Sequence, residues 1–103
     1  TRVEVNRYER SRKYRNLCLT VLGASCKVCE FNFGDTFGAL GEGYMHVHHL
    51  IPVSGMPQDY QFDPLKDLVP VCPNCHSMLH KEDPPLSIEK LKTIMLEEKS
   101  DHE

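Results

Sequence analysis

The sequence predicts a small α+β domain in which two short strands and three helices share one thin core around bound metal. Three observations carry that expectation. The chain has 103 residues with 7 Pro, 6 Gly and no Trp, so it has little apolar surface to set against chain entropy and needs a disulfide or a metal as a brace. Its cysteines recur as two CxxC pairs, Cys26 with Cys29 and Cys72 with Cys75. Around those pairs the apolar pattern switches between helix-like and strand-like stretches, with no internal repeat.

Taken in order, residues 7–22 read as a helix with Leu17 and Val21, joined by Tyr14 and Cys18, on its apolar side and Gly23 as the stop signal. Residues 1–24 thus form a basic helical extension to a main unit spanning 25–103. The stretch after the first CxxC, EFNFGDTFGALGEG, is a turn-rich loop whose Phe31, Phe33 and Phe37 are expected to plug the core. YMHVHHLIPV reads as a strand ended by Pro52, and DLVPV as a second. The loop between them is too long for a hairpin turn and marks a functional segment. PNCHSMLHKE suits a helix with Pro73 in its first turn. A last helix begins at Ser87 as N-cap and runs to about Glu98, with Ile88, Leu91, Ile94 and Met95 on one side.

No apolar run approaches the roughly 20 residues that a membrane span requires, and the amino terminus is charged where a secretory signal is apolar. The expectation is a cytoplasmic protein with no membrane partner, whose thiols stay reduced and hold metal rather than each other. Net charge is -3, which alone argues against a nucleic-acid partner, but the average hides an asymmetry. Residues 1–16 carry six bases against two acids, while residues 82–103 carry seven acids against three lysines. A phosphate backbone responds to the local charge.

Two CxxC turns converging on one ion supply the four thiolates of a closed tetrahedral site, so Cys26, Cys29, Cys72 and Cys75 are expected to hold structural Zn2+. The alternatives are a dithiol redox motif or two disulfides. Cys18 is left over as a small core residue. His76 and His80 stand four apart and project from one helix face, a spacing that suits a shared metal and that surface helices also carry by chance. A second cluster, His46, His48 and His49, lies on the strand that should return beside that helix. Strand alternation sends His48 and His49 to opposite faces, so both serve one site only if the backbone turns there; otherwise one is a structural histidine.

These stretches resemble a known family. HVHHLIPVS with DPLKDLVPVCPNCHSMLH is similar to the ββα-metal (His-Me finger) motif of HNH endonucleases, and the combination with CKVC resembles the McrA-type subgroup of restriction enzymes. The likeness covers about residues 25–81 and implies a metal-dependent DNA endonuclease. By that resemblance His49 is the general base, His48 and His76 are ligands of a catalytic divalent cation, and His80 is a further ligand. Asp67 falls where the family carries the Asn that ties the loop down; Asp accepts such hydrogen bonds but cannot donate them. His46 stands where relatives carry a carboxylate, a position that would support a ligand from behind.

The residue types fit phosphodiester hydrolysis, since a neutral imidazole takes a proton from water near neutral pH and a cation stabilises phosphoryl and leaving oxygens. Imidazole ligands suit Zn2+, Ni2+ or Mn2+ at least as well as Mg2+, which leaves that ion open. Substrate contact is expected from Arg7, Arg10, Arg12, Lys13 and Arg15, with a solvated helix face as the alternative. Cutting both strands would require a homodimer or two encounters. The competing reading is a zinc-stabilised nucleic-acid-binding module without catalysis.

Overall fold

The structure, a computed structural model, describes residues 2–51 and 60–101, with side chains over 12–51 and 60–99. Helix α1 (Arg2–Leu22) leads into the first CxxC turn, then the five-residue α2 (Phe33–Phe37) and a 3-10 turn over Gly38–Gly41. Strands β1 (His46–His49) and β2 (Leu68–Val71) follow, then α3 (Pro73–Leu79) and α4 (Ile88–Asp101). The two strands pair antiparallel in the register His46–Val71, Val47–Pro70, His48–Val69 and His49–Leu68. With α3 packed on that hairpin, the arrangement is the ββα-metal unit that the sequence predicts. No helix among the described residues is long and apolar enough to cross a membrane.

Each boundary has a local cause. Gly23 stops α1 in a left-handed conformation at φ 90°, which costs glycine little, and returns its N–H to the Leu19 carbonyl at 3.0 Å. The Asn32 side chain caps α2 by accepting from the Asp35 N–H at 3.0 Å. Cys72 caps α3 through its sulfur, with Pro73 in the first turn. Ser87 Oγ accepts from the Lys90 N–H at 3.0 Å at the start of α4. Both strands are shorter than expected, and Pro52 lies outside the described residues.

The core gathers Met45, Val71, Leu79, Ile88 and Leu91 around Cys26, Cys72 and Cys75. Val71 and Leu79, fully buried, each immediately precede a candidate ligand, Cys72 and His80, so their packing also positions those side chains. Two expectations about this core require correction. Leu17 and Val21 are exposed, whereas Cys18 is buried as expected and Leu19 lies beside the core. The helix is held in that rotation by Tyr14 against the Phe62 ring at 5.2 Å and by Arg15, whose guanidinium donates to the Met45 carbonyl at 3.3 Å. Phe31 and Phe33 pack against the core, but Phe37 stacks on Phe33 at the surface with 54% of its area exposed.

The 3-10 turn sits so close to α2 that a Cβ on Gly41 would meet the Phe33 carbonyl oxygen and lie 2.7 Å from its carbon. Backbone cannot yield as a side-chain tip can. Gly41→Ala is therefore expected to cost about 1–3 kcal/mol, read as a lower urea midpoint; an unchanged midpoint would mean that the turn swings away freely.

Candidate metal centres

Two ligand groups assemble at opposite ends of α3. Cys26, Cys29, Cys72 and Cys75 bring one sulfur each to within 4.8 Å of one another. The Cys29 and Cys72 sulfurs stand 3.7 Å apart, far from bonded, and all five cysteines are free. For a Zn–S bond of about 2.3 Å the edge of a tetrahedron is about 3.8 Å, so that pair already has the spacing of two ligands on one ion. The second pair arrives from β2 and α3; the first is docked to β2 by the Lys27 N–H, which donates to the Pro70 carbonyl at 3.0 Å.

The protonation energetics point the same way. Burial disfavours the Cys26 thiolate, but the backbone N–H groups around it, notably those of Cys29 and Val28, outweigh burial and bring its pKa down to about 7. Burial raises the Cys29 and Cys75 thiols, and neighbouring sulfurs push them further. Four thiolates so close cannot all ionise without a cation among them, and a divalent ion removes that repulsion. Cys18 is buried away from this cluster, and burial raises its pKa, as suits an inert core thiol.

At the other end, His48, His76 and His80 place one ring nitrogen each within 4.8 Å of one another. The three rings meet edge to face, His48 with His76 at 5.4 Å, His48 with His80 at 5.1 Å and His76 with His80 at 4.9 Å. Helical spacing of four puts His76 and His80 together, and β1 supplies His48 across from them. His48 is 4% exposed and its Nδ1 has no hydrogen-bond partner. A buried polar atom without a partner is costly, and a metal ion satisfies it, so this donor set fits a cation.

The cluster also resists protonation. His48 has its pKa pushed down to about 4, first by burial and then by the charge that His76, His80 and His49 would carry. His76 is lowered by burial and then by His80, His46 and His49. Because the folded pKa of His48 lies below its unfolded value near 6.5, the unfolded chain binds more protons between those pH values, and stability falls as pH drops through that window. With metal on the cysteines only, the His48 ring is expected to titrate near pH 4 in an NMR series; a midpoint near 6.5 would mean that the ring is solvated.

His46 stands behind His76. Their Nδ1 atoms are 3.1 Å apart, so Nε2 is the His76 nitrogen that this contact does not occupy, and the far side of the His46 ring approaches Tyr44 Oη at 3.5 Å. An imidazole whose second nitrogen is held in this way is fixed in tautomer and orientation. His46→Ala is expected to weaken cation binding at the histidine cluster by about 10- to 100-fold while leaving the cysteine-bound ion in place, measurable by titration with Co2+; undiminished affinity would make the contact incidental.

Regular strand alternation persists through His49, so no backbone turn is needed. His48 is buried toward α3, while His49 is exposed and its ring lies 6.0 Å from that of Phe62. Both nevertheless open on one cleft of about 1120 Å³, with His76, His80 and the 83–87 segment as further walls. Although the residue is open to solvent, desolvation of part of the His49 ring by its neighbours lowers its pKa and favours the neutral form. Asp67 lies beside this cleft, 4% exposed, and uses both carboxylate oxygens, accepting from Tyr60 Oη and the Asp63 N–H at 2.9 Å each. Both partners are donors, so an acceptor-only side chain ties this loop without an amide.

A family model described as HNH endonuclease matches residues 26–82, more than half of the chain. The chain belongs to the HNH endonuclease family. That family is one of metal-using nucleases that act on nucleic acid. No curated protein and no solved structure matches it. Of the basic residues expected to meet substrate in this HNH chain, the Arg7 and Arg10 side chains lie outside the described residues, and Arg15 is engaged with the Met45 carbonyl. Arg12 and Lys13 are exposed on α1 and do not line the histidine cleft. The cations that do line it, Lys27 and Lys92, escape a reading by charge density because Lys27 stands alone between two cysteines and Lys92 lies in a stretch whose net charge is acidic.

Proposed function

We propose that this chain is a metal-dependent endonuclease that hydrolyses phosphodiester bonds of DNA, with Zn2+ on the four cysteines and one catalytic divalent cation on His48, His76 and His80. The observation that carries this reading is the buried, unpartnered Nδ1 of His48 inside a three-imidazole cluster, next in sequence to an exposed histidine on the same cleft. His48, His76 and His80 would hold that cation, which would supply Lewis-acid stabilisation of the negative charge that develops during phosphodiester hydrolysis.

The chain's own residues divide the remaining work. His49, neutral and open to solvent, accepts the proton of the attacking water. His48, kept neutral by burial, holds its lone pair available down to acidic pH. His46 orients His76, and Asp67 steadies the loop that borders the cleft. A single active site of this kind nicks one strand.

The test is a plasmid-nicking assay on chelator-treated protein that retains its cysteine-bound ion, with Mg2+, Mn2+, Ni2+ or Zn2+ restored in turn. Metal-dependent nicking is the expected result and identifies the ion. Wild-type protein that binds DNA but never nicks under any of these ions would replace this reading with the zinc-stabilised binding module.

A further inference from the structure

We propose that Lys27 and Lys92 form a phosphate-binding saddle that carries one DNA strand out of the histidine cleft and into a second groove leading to Lys99. The proposal rests on the nuclease reading only for the identity of the strand's destination.

The cleft over the histidines and a smaller groove of about 310 Å³ beside the first CxxC turn have two lining residues in common, Lys27 and Lys92. A strand passing from one to the other would run past both ammonium groups. Both side chains are exposed, so their charges face solvent. The acids are distributed differently. Asp83 and Glu89 line only the histidine cleft, and Glu30 only the smaller groove. Each of these acids repels phosphate within its own groove, so the two lysines common to both grooves are where a phosphate is drawn in.

The two lysines stand on rigid ground. Lys27 lies between two metal-ligand cysteines, and its N–H is bonded to Pro70, the residue paired with Val47 next to His48. The saddle is thus tied through two backbone contacts to the strand that bears the candidate ligands. Lys92 projects from α4, and Lys99, seven residues further, is two turns along the same face, roughly 10 Å away at 1.5 Å per residue. Lys99 lines the smaller groove with Lys92, so the positive track continues away from the histidines. A lysine contacts phosphate as a point charge and reads no base, so the track positions the strand without choosing its sequence.

The experiment measures affinity for a 20-base-pair DNA duplex against KCl concentration, without catalytic metal, for wild type, Lys92→Met, the Lys27→Met/Lys92→Met double variant and Lys90→Met. Each lost phosphate contact flattens the slope of log K against log salt by about 0.9, so the double variant should lose about 1.8 and Lys92→Met about half of that. Lys90 lines neither groove and its variant should keep the wild-type slope. Unchanged slopes, equal loss in Lys90→Met, or no duplex binding by wild type would overturn the saddle. If the double variant does not fold, Lys92→Met, an exposed helix substitution, decides alone. Lysine-dependent slopes in a protein that never nicks would keep the saddle and remove the nuclease reading. Nicking with lysine-independent slopes would do the reverse.

Discussion

Cys72→Ser, or removal of the cysteine-bound ion by a strong chelator, is expected to unfold the chain. Cys26, Cys72 and Cys75 belong to the same buried cluster as Met45, Val71 and Leu79, so these candidate ligands are core residues and not an appendage. Cys72 also ends β2 and caps α3, accepting the Cys75 N–H on its sulfur at 3.4 Å. Without the ion, four crowded sulfurs remain in a small core. A structural Zn2+ contributes about 10–16 kcal/mol at neutral pH, as much as or more than the whole net stability of a typical domain, about 5–15 kcal/mol. Circular dichroism and metal content per chain provide the check. One ion per chain and loss of helical signal on its removal are the expected results; a metal-free variant that still melts cooperatively at the wild-type temperature would show that apolar packing suffices.

His49→Ala is expected to abolish nicking by two to four orders of magnitude, the usual contribution of a positioned acid–base group, and to leave DNA binding and both metal stoichiometries intact. His49 is exposed on β1 and contacts Phe62, so truncation removes an imidazole without opening the core. His48→Ala should behave differently. It deletes a buried ring and one candidate ligand, so cleavage and cation affinity should fall together. Finding that His49→Ala nicks at the wild-type rate would move the proton-accepting role to another group on the cleft. Loss of DNA binding in the same variant would make the residue a substrate contact instead.

Much of this architecture was legible because it is local. Two CxxC turns and an HxxxH helix repeat fix the separation of their side chains within one turn of backbone, and alternation along HVHH fixes which ring faces α3. The caps Gly23, Ser87 and the Pro73 turn were equally readable, since each answers a hydrogen-bonding or φ requirement of its own few residues. The rotation of α1 was not legible. Leu17 and Val21 are as apolar as the residues that are buried, and the Tyr14 and Arg15 contacts that choose between the two faces involve residues 48 and 30 positions away.

The candidate ligand types, their pairing within each segment and the ββα order follow from local pattern, because neighbouring residues are held by bond geometry whatever the rest of the chain does. Long-range packing is what sets His46 beside His76, gives Asp67 its two donors and brings Lys27 and Lys92, 65 residues apart, to line one cleft. Those meetings depend on how α1 and α4 pack against the hairpin and knuckle, and packing is set by the burial and hydrogen bonding of the whole core, which no local pattern encodes.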